Sequence, residues 1–398
     1  MKYIKSSRIY FEDGLKDGYL VIDNGKIAGY LSSDATVEEY EDYKDNRIIP
    51  GIIDTHNHGT YGYGCDKVYE NEEAVKKNLR NYLHALTYEG VTSCFPTITS
   101  QVKQMADIVT SGDYTGARVM GLHSEGPYVS RVGEGGRPED YPSVDMNYVK
   151  KMYEDSKGLL KLFAMAPEIP GTDEVRDYLL SKGVTVAYAH SDLKREGAQK
   201  AVDSGYRVST HTANVMVGLH HRDIGGLGVM LMDPRVQCEV ICDGLHVSLN
   251  FIEIMFKIKD KSKFMMVSDS ATLAGIKPGR YETGWVTPIN VTDEGFVRDD
   301  DGRLLGSSKS VLYGIGNLVE KLHIPMEEVI KLSSLNAATF YGFADRKGSI
   351  AVGKDADFVV IDDKYNALST YVEGENVYNR QRDGEPIFNP NPSFVEEH

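Results

Sequence analysis

The sequence predicts an α/β fold: a (β/α)8 TIM-type barrel with a small β-sandwich domain built from both chain ends. Three observations predict it. The middle of the chain alternates short apolar runs with helical periodicity, about eight times, and repeated β–α units of this length form a parallel sheet. Both chain ends are turn-rich and strand-like, without strong helical periodicity. The apolar runs of the middle end in histidines and carboxylic acids, where barrel strands carry catalytic groups. The expected division is 1–49 and 346–398 for the small domain and 50–345 for the barrel.

At the N-terminal end, Arg8-Ile9-Tyr10-Phe11, Gly18 to Ile22 and Lys26 to Tyr30 read as strands, and Asn24-Gly25 is a hairpin signal. Gly348 to Ile350, Ala356 to Ile361 and Ala367 to Val372 have the same texture at the other end. Between them, Ile52 and Ile53 open the first barrel strand. Val75, Leu79, Leu83 and Leu86 give a helix from Glu72 to Glu89. Strands follow at Val91–Ile98, Arg118–Leu122, Leu160–Ala164, Val184–Ala189, Arg207–Ser209, Val236–Ile241 and Phe264–Val267. Helices are expected near Gln101–Val109, Val311–Leu322 and Met326–Ser334. No G-x-G-x-x-G follows the first strand, which counts against a dinucleotide fold.

Composition narrows the function. The 398 residues are 41% apolar and 26% charged, with a formal charge of −15. That charge argues against nucleic-acid or anionic-membrane partners, but one local arginine still suffices for a phosphate. The 4 cysteines form no C-x-x-C, the N-terminal stretch has no apolar signal core, and no segment is long and apolar enough to span a membrane. A cytoplasmic protein is expected.

The strand ends carry the chemistry. His56 and His58, separated by one residue on a strand, point the same way and form a metal clamp. Glu125 follows the third strand, His190 the fifth, His211 the sixth, Asp243 and His246 the seventh, and Asp269 the eighth. Such a set suits one or two borderline divalent ions, zinc first, with iron, manganese, cobalt or nickel as alternatives. A metal with an open position lowers the pKa of its water, and a nearby carboxylate, Asp269, can take and return the proton.

These segments resemble the amidohydrolase superfamily, and more narrowly the N-acetylglucosamine-6-phosphate deacetylases. The matching pieces are Pro50 to Gly59, Gly121 to Pro127, Ala189-His190-Ser191, Thr210 to Met216, Leu219 to Arg222, Asp243 to Val247, Ser268-Asp269-Ser270, Leu304 to Ser308 and Lys347 to Asp357. The resemblance implies that Glu125, His190 and His211 hold the main metal, that His56 and His58 hold a second, and that Asp269 is the general base and acid. It implies phosphate binding by Asn214, the backbone of Val215 and Arg222, the last from a partner subunit in a homodimer. His246 would contact the sugar, and Leu304, Leu305 and Gly306 would line the pocket.

One segment departs from the family. Gly135-Gly136-Arg137-Pro138 stands where the family presents a substrate-contacting histidine, so Arg137, beside Gly136, brings a permanent cation. The expected activity is removal of the acetyl group from N-acetylglucosamine-6-phosphate. The alternative is a related amidohydrolase acting on another N-acyl amino sugar or a cyclic amide. A non-catalytic protein that kept only the shell would have lost ligands, and here every metal and base position is filled. His123 is expected to hydrogen-bond within the barrel, His220 to support the Arg222 loop, and Tyr61 and Tyr63 to wall the pocket.

Overall fold

Side-chain alternation along the parallel strands separates an inner from an outer face. The computed structural model describes residues 1–67, 69–131, 141–282, 288–302, 304–389 and 395–396. The parallel strands are β1 (Ile52–Asn57), β2 (Val91–Pro96), β3 in two pieces (Arg118–Val119 and Leu122–Glu125), β4 (Leu160–Met165), β5 (Thr185–Tyr188), β6 (Val208–Ser209), β7 (Gln237–Ile241) and β8 (Phe264–Val267). Ile53, Phe95, Leu162, Ala187, Val208 and Met265 share one cluster. Their neighbours Ile52, Cys94, Phe163, Val186 and Met266 belong to a second cluster with the helices. Residues from six different strands thus face a common interior, as the two-residue period of a strand requires.

The strands pair in chain order but in two sheets, one of three and one of six. The break falls inside β3. The first piece pairs with β2, and the second pairs with β4. Gly121 lies at this step, where a β-carbon would come within 2.6 Å of the Lys161 side chain. The far edges also meet: Asp269 N–H donates to the His56 carbonyl at 2.9 Å and His58 N–H to the Ser270 carbonyl at 2.8 Å.

Val395–Glu396 pairs with Gly279–Glu282, whereas the chain-end strands up to Asn379 lie in one mixed sheet of eight strands, where a sandwich of two sheets was expected. The reason is the strand Arg47–Pro50, which pairs parallel with Lys2–Phe11 and antiparallel with Phe358–Ile361, joining the two ends edge to edge. Alternation again divides the faces. Ile9, Ile48, Phe358 and Val360 form a core of their own, while Tyr10, Ile49, Val359 and Ile361 join the main core. Gly348–Ile350 contributes a single bridge, Ile350 to Phe11, rather than a strand.

Two further differences bear on the site. The helix from Glu72 ends at Ala85 and tightens into a 3-10 turn over Leu86–Glu89, and the later helices are interrupted by π-turns at Asn317–Lys321 and Lys331–Leu335. Between β8 and the helix Val311–Gly316 lies an antiparallel sheet, unforeseen in the sequence, with strands Gly279–Glu282, Ile289–Val291, Phe296–Asp299 and Leu304–Ser307.

The Lys347 to Asp357 segment has a structural role. Lys347 is 1% exposed, with Nζ 2.6 Å from Asp357 Oδ2 and 3.1 Å from Asp355 Oδ2. Burial pushes the Asp357 carboxyl up, whereas Asp355, which also meets Lys26 and Arg346, is held down against its burial. Removing one partner of a buried ion cluster leaves the others uncompensated. Lys347→Met should therefore cost about 3–5 kcal/mol, read as a lower urea midpoint with an unchanged slope.

Candidate metal centre

Six side chains converge where the strands end. His56 and His58 lie at the end of β1, His56 with no exposure and His58 with 38% of its side chain exposed. Glu125 is the last residue of β3. His190, His211 and Asp269 come just after β5, β6 and β8, all three in the left-handed region, with φ of 48°, 29° and 48°. Non-glycine residues reach that region at a cost of order 1–3 kcal/mol each, and such strain gathers at sites whose surroundings over-determine it. Here it turns the chain out of the strand at the residue whose side chain enters the cluster.

Glu125 stands between two pairs of histidines. Its Oε1 lies 3.0 Å from His190 Nε2 and 2.9 Å from His211 Nε2. Its Oε2 lies 3.1 Å from His58 Nε2 and 3.4 Å from His56 Nε2. Asp269 Oδ1 is 3.4 Å from both His56 Nε2 and His58 Nε2. Burial opposes ionisation of both carboxyls, yet His56, with the other histidines, holds each well below the usual carboxylate range. Burial likewise works to lower His58, but Asp269 and Glu125 bring it up to about 9.

The donor set fits a divalent metal. His190 Nδ1 donates to the Arg131 carbonyl at 2.9 Å, and His56 Nδ1 to Glu239 Oε2 at 3.1 Å. In the neutral rings those bonds place the proton on Nδ1 and leave the Nε2 lone pairs facing Glu125. His190 Nε2 also lies 3.1 Å from His211 Nε2, and His56 Nε2 is buried without a hydrogen-bond partner among the described residues. Lone pairs and carboxylate oxygens at such separations repel, and a cation between them turns the repulsion into coordination. Ligands about 2.0–2.2 Å from an ion sit roughly 2.8–3.6 Å apart in octahedral or tetrahedral arrangements, and the separations above fall in that interval. Glu125, His190 and His211 form one such group, and His56, His58, Glu125 and Asp269 another.

The remaining sequence-predicted residues are placed as follows. His246 Nδ1 is 2.7 Å from Asp243 Oδ2, which also accepts from Ser307 Oγ at 3.0 Å. The strand Leu304–Ser307 reaches the centre through its backbone: Ser307 N–H donates to the Asp269 carbonyl at 3.1 Å. Gly306 is left-handed at φ 78°, and a β-carbon there would come within 2.9 Å of the Ala271 side chain. The side chain of Leu305 lies outside the described residues, as do Gly136 and Arg137. Asn214 donates to the His211 carbonyl at 3.0 Å, and Val215 is left-handed at φ 50°. Arg222 is exposed, and its backbone N–H meets His220 Nδ1 at 3.3 Å. His123 is buried beside His56, with its Nδ1 3.3 Å from Thr97 Oγ1.

Two acids escaped the sequence reading. Glu239, in the middle of β7, is fully buried and touches His56. Asp54 is also buried, which pushes its carboxyl up to about 6, and it accepts from Ser268 Oγ at 2.6 Å, tying β1 to the end of β8. The available signal was a single acid within an otherwise buried strand, inward in Glu239 and on the helix side in Asp54.

Fold and centre together define the class. Residues 47–387 match the amidohydrolase family, and the chain belongs to it. Within it, the relatives are the deacetylases that the motifs had indicated. The chain is 31% identical over 377 residues to the N-acetylglucosamine-6-phosphate deacetylase of Bacillus subtilis (strain 168), covering 90% of this chain and 92% of that one. It is 29% identical to the N-acetylgalactosamine-6-phosphate deacetylase of Escherichia coli O157:H7, covering 94% and 98%. The crystal structure of N-acetylglucosamine-6-phosphate deacetylase from Pasteurella multocida superposes with a TM-score of 0.82 at 27% identity, covering 94% and 98%.

Glu125 is the one ligand common to both groups. Glu125→Ala should weaken binding of every divalent ion by ~100-fold or more, measured by metal analysis after dialysis against a weak chelator.

Proposed function

We propose that this chain hydrolyses the acetamide of N-acetylglucosamine-6-phosphate to acetate and glucosamine-6-phosphate. The observation that carries the reading is the complete ligand set, with Asp269 facing it, in a chain aligned over nearly its whole length with enzymes of that name. Glu125, His190 and His211 would hold one divalent ion and His56 and His58 a second, which would supply Lewis acidity and lower the pKa of a nearby water. Zinc fits these nitrogen and oxygen donors, with iron, manganese, cobalt and nickel as further candidates.

Asp269 takes a proton from a water molecule as the oxygen of that water bonds to the acetamide carbon. The carbon–nitrogen bond then breaks, and Asp269 returns the proton to the departing amine. His246, held by Asp243, orients the sugar, and Leu304 to Gly306 line the pocket. Asn214, the backbone at Val215 and Arg222 bind the phosphate; Arg222 is exposed in its own subunit, which suits a reach across a homodimer. Arg137, beside Gly136, is proposed to contact the substrate in place of the family's histidine. The two parallel sheets are read as the wall of one (β/α)8 barrel, residues 50–345, flanked by the end sheet. A cytoplasmic compartment and a small phosphorylated substrate, rather than nucleic acid or membrane, suit the charge of −15.

The test is steady-state turnover of N-acetylglucosamine-6-phosphate beside its galacto epimer and the unphosphorylated sugar. The expected result is kcat/KM of about 10⁴ M⁻¹s⁻¹ or more for the phosphorylated gluco sugar and far less for the others. Preference for the epimer, or for a sugar without phosphate, would displace the reading. Asp269→Asn should lose roughly 10³-fold or more in kcat with its metal content retained. Arg222→Ala should raise KM for the phosphorylated sugar by about 10- to 100-fold and leave turnover of the unphosphorylated sugar unchanged.

A further inference from the structure

Glu239 is a buried acid without a lysine or arginine partner among the described residues. It is fully buried in β7, where Cys238 and Val240 face outward into the main core and Glu239 faces in. Its Oε2 accepts from His56 Nδ1 at 3.1 Å and its Oε1 from Thr55 Oγ1 at 3.3 Å. Its own backbone carbonyl accepts from Thr212 N–H at 2.8 Å, next to His211. A ring nitrogen of His123 also lies within 4.8 Å of its carboxylate. Burying a carboxylate with only a histidine and a hydroxyl to meet it costs several kcal/mol unless positive charge lies on or beyond that histidine. A glutamine or serine would have served to buttress His56, so the charge needs a reason.

The reason lies in what backs each ligand. On the far side of Glu125, His190 Nδ1 is held by a neutral carbonyl, that of Arg131, and His211 Nδ1 has no hydrogen-bond partner among the described residues. Of His56, His190 and His211, His56 alone is backed by a carboxylate among the described residues. A carboxylate behind an imidazole fixes the ring's tautomer and raises its donor strength toward a metal on the other nitrogen. We infer that Glu239 is a positioning residue that makes the two halves of the centre unequal, strengthening retention of a divalent ion by His56 and His58 while leaving the His190–His211 half to its own ligands. The inference rests on the reading of this centre as a metal site.

The experiment uses the full-length chain, stripped of metal and titrated with Zn²⁺ against a chromophoric chelator, then with Co²⁺ followed by its visible absorption. Wild type is compared with His56→Ala, His211→Ala and Glu239→Gln. Glutamine keeps the size and an acceptor for Thr55 but removes the charge, and thermal melting of each metal-free variant reports its fold. The binding event abolished by His56→Ala should be weakened about 10- to 100-fold in Glu239→Gln, with a shifted Co²⁺ spectrum. The event abolished by His211→Ala should keep its wild-type affinity. Wild-type affinities throughout in folded Glu239→Gln, equal weakening of both events, or no His56-dependent event in wild type would each overturn the proposal. Failure of the wild-type chain to bind either ion would instead overturn the metal reading beneath it.

Discussion

Glu125 presents one oxygen to His190 and His211 and the other to His56 and His58, and the rest of the site depends on that division. Its backbone is fixed because β3 is the strand at which one parallel sheet ends and the next begins. The half carrying Glu125 pairs with β4, while His123, two residues earlier, bridges to Thr97 beyond β2. A carboxylate at this seam reaches histidines from both sheets. The centre is therefore a consequence of strand order as much as of residue type.

Charge balance explains the surroundings. Three acids, Glu125, Asp269 and Glu239, meet four imidazoles in a volume largely shielded from water, and no lysine or arginine pairs with those acids among the described residues. Such a set stays together only if the imidazoles take protons or share cations. Protonation is the direction in which His56 and His58 are driven, and a dication satisfies the same carboxylates while keeping the rings as ligands. His123, packed edge-on against His56, is held well below the ordinary imidazole range by burial and by that neighbour, and so adds no competing charge.

Much of this was legible in the sequence because the signals were local. The one-residue spacing of His56 and His58 fixes their common face, and ligands at successive strand ends need only the strand positions. Glu239 was not legible. It lies 28 residues from His211, the nearest in sequence of the six converging side chains, and inside an apolar run its meaning depends on the register between β7 and β1 across the interior. The antiparallel strands from Gly279 to Ser307 were missed for a different reason. They are three or four residues long, and their order depends on pairing with one another.

Those same strands tie His246 to Asp269 through one serine. Ser307 donates its backbone N–H to the carbonyl of Asp269, accepts from Ala271 N–H, and gives its hydroxyl to Asp243, the acid that holds His246. One serine thus sets the backbone behind Asp269 and the carboxylate behind His246 by three hydrogen bonds. The left-handed Gly306 brings that serine close, because a side chain there would strike Ala271. A displacement of the Leu304–Ser307 strand must therefore move His246 and Asp269 together. That coupling lets the side chains of the strand vary while its backbone keeps His246 and Asp269 in register.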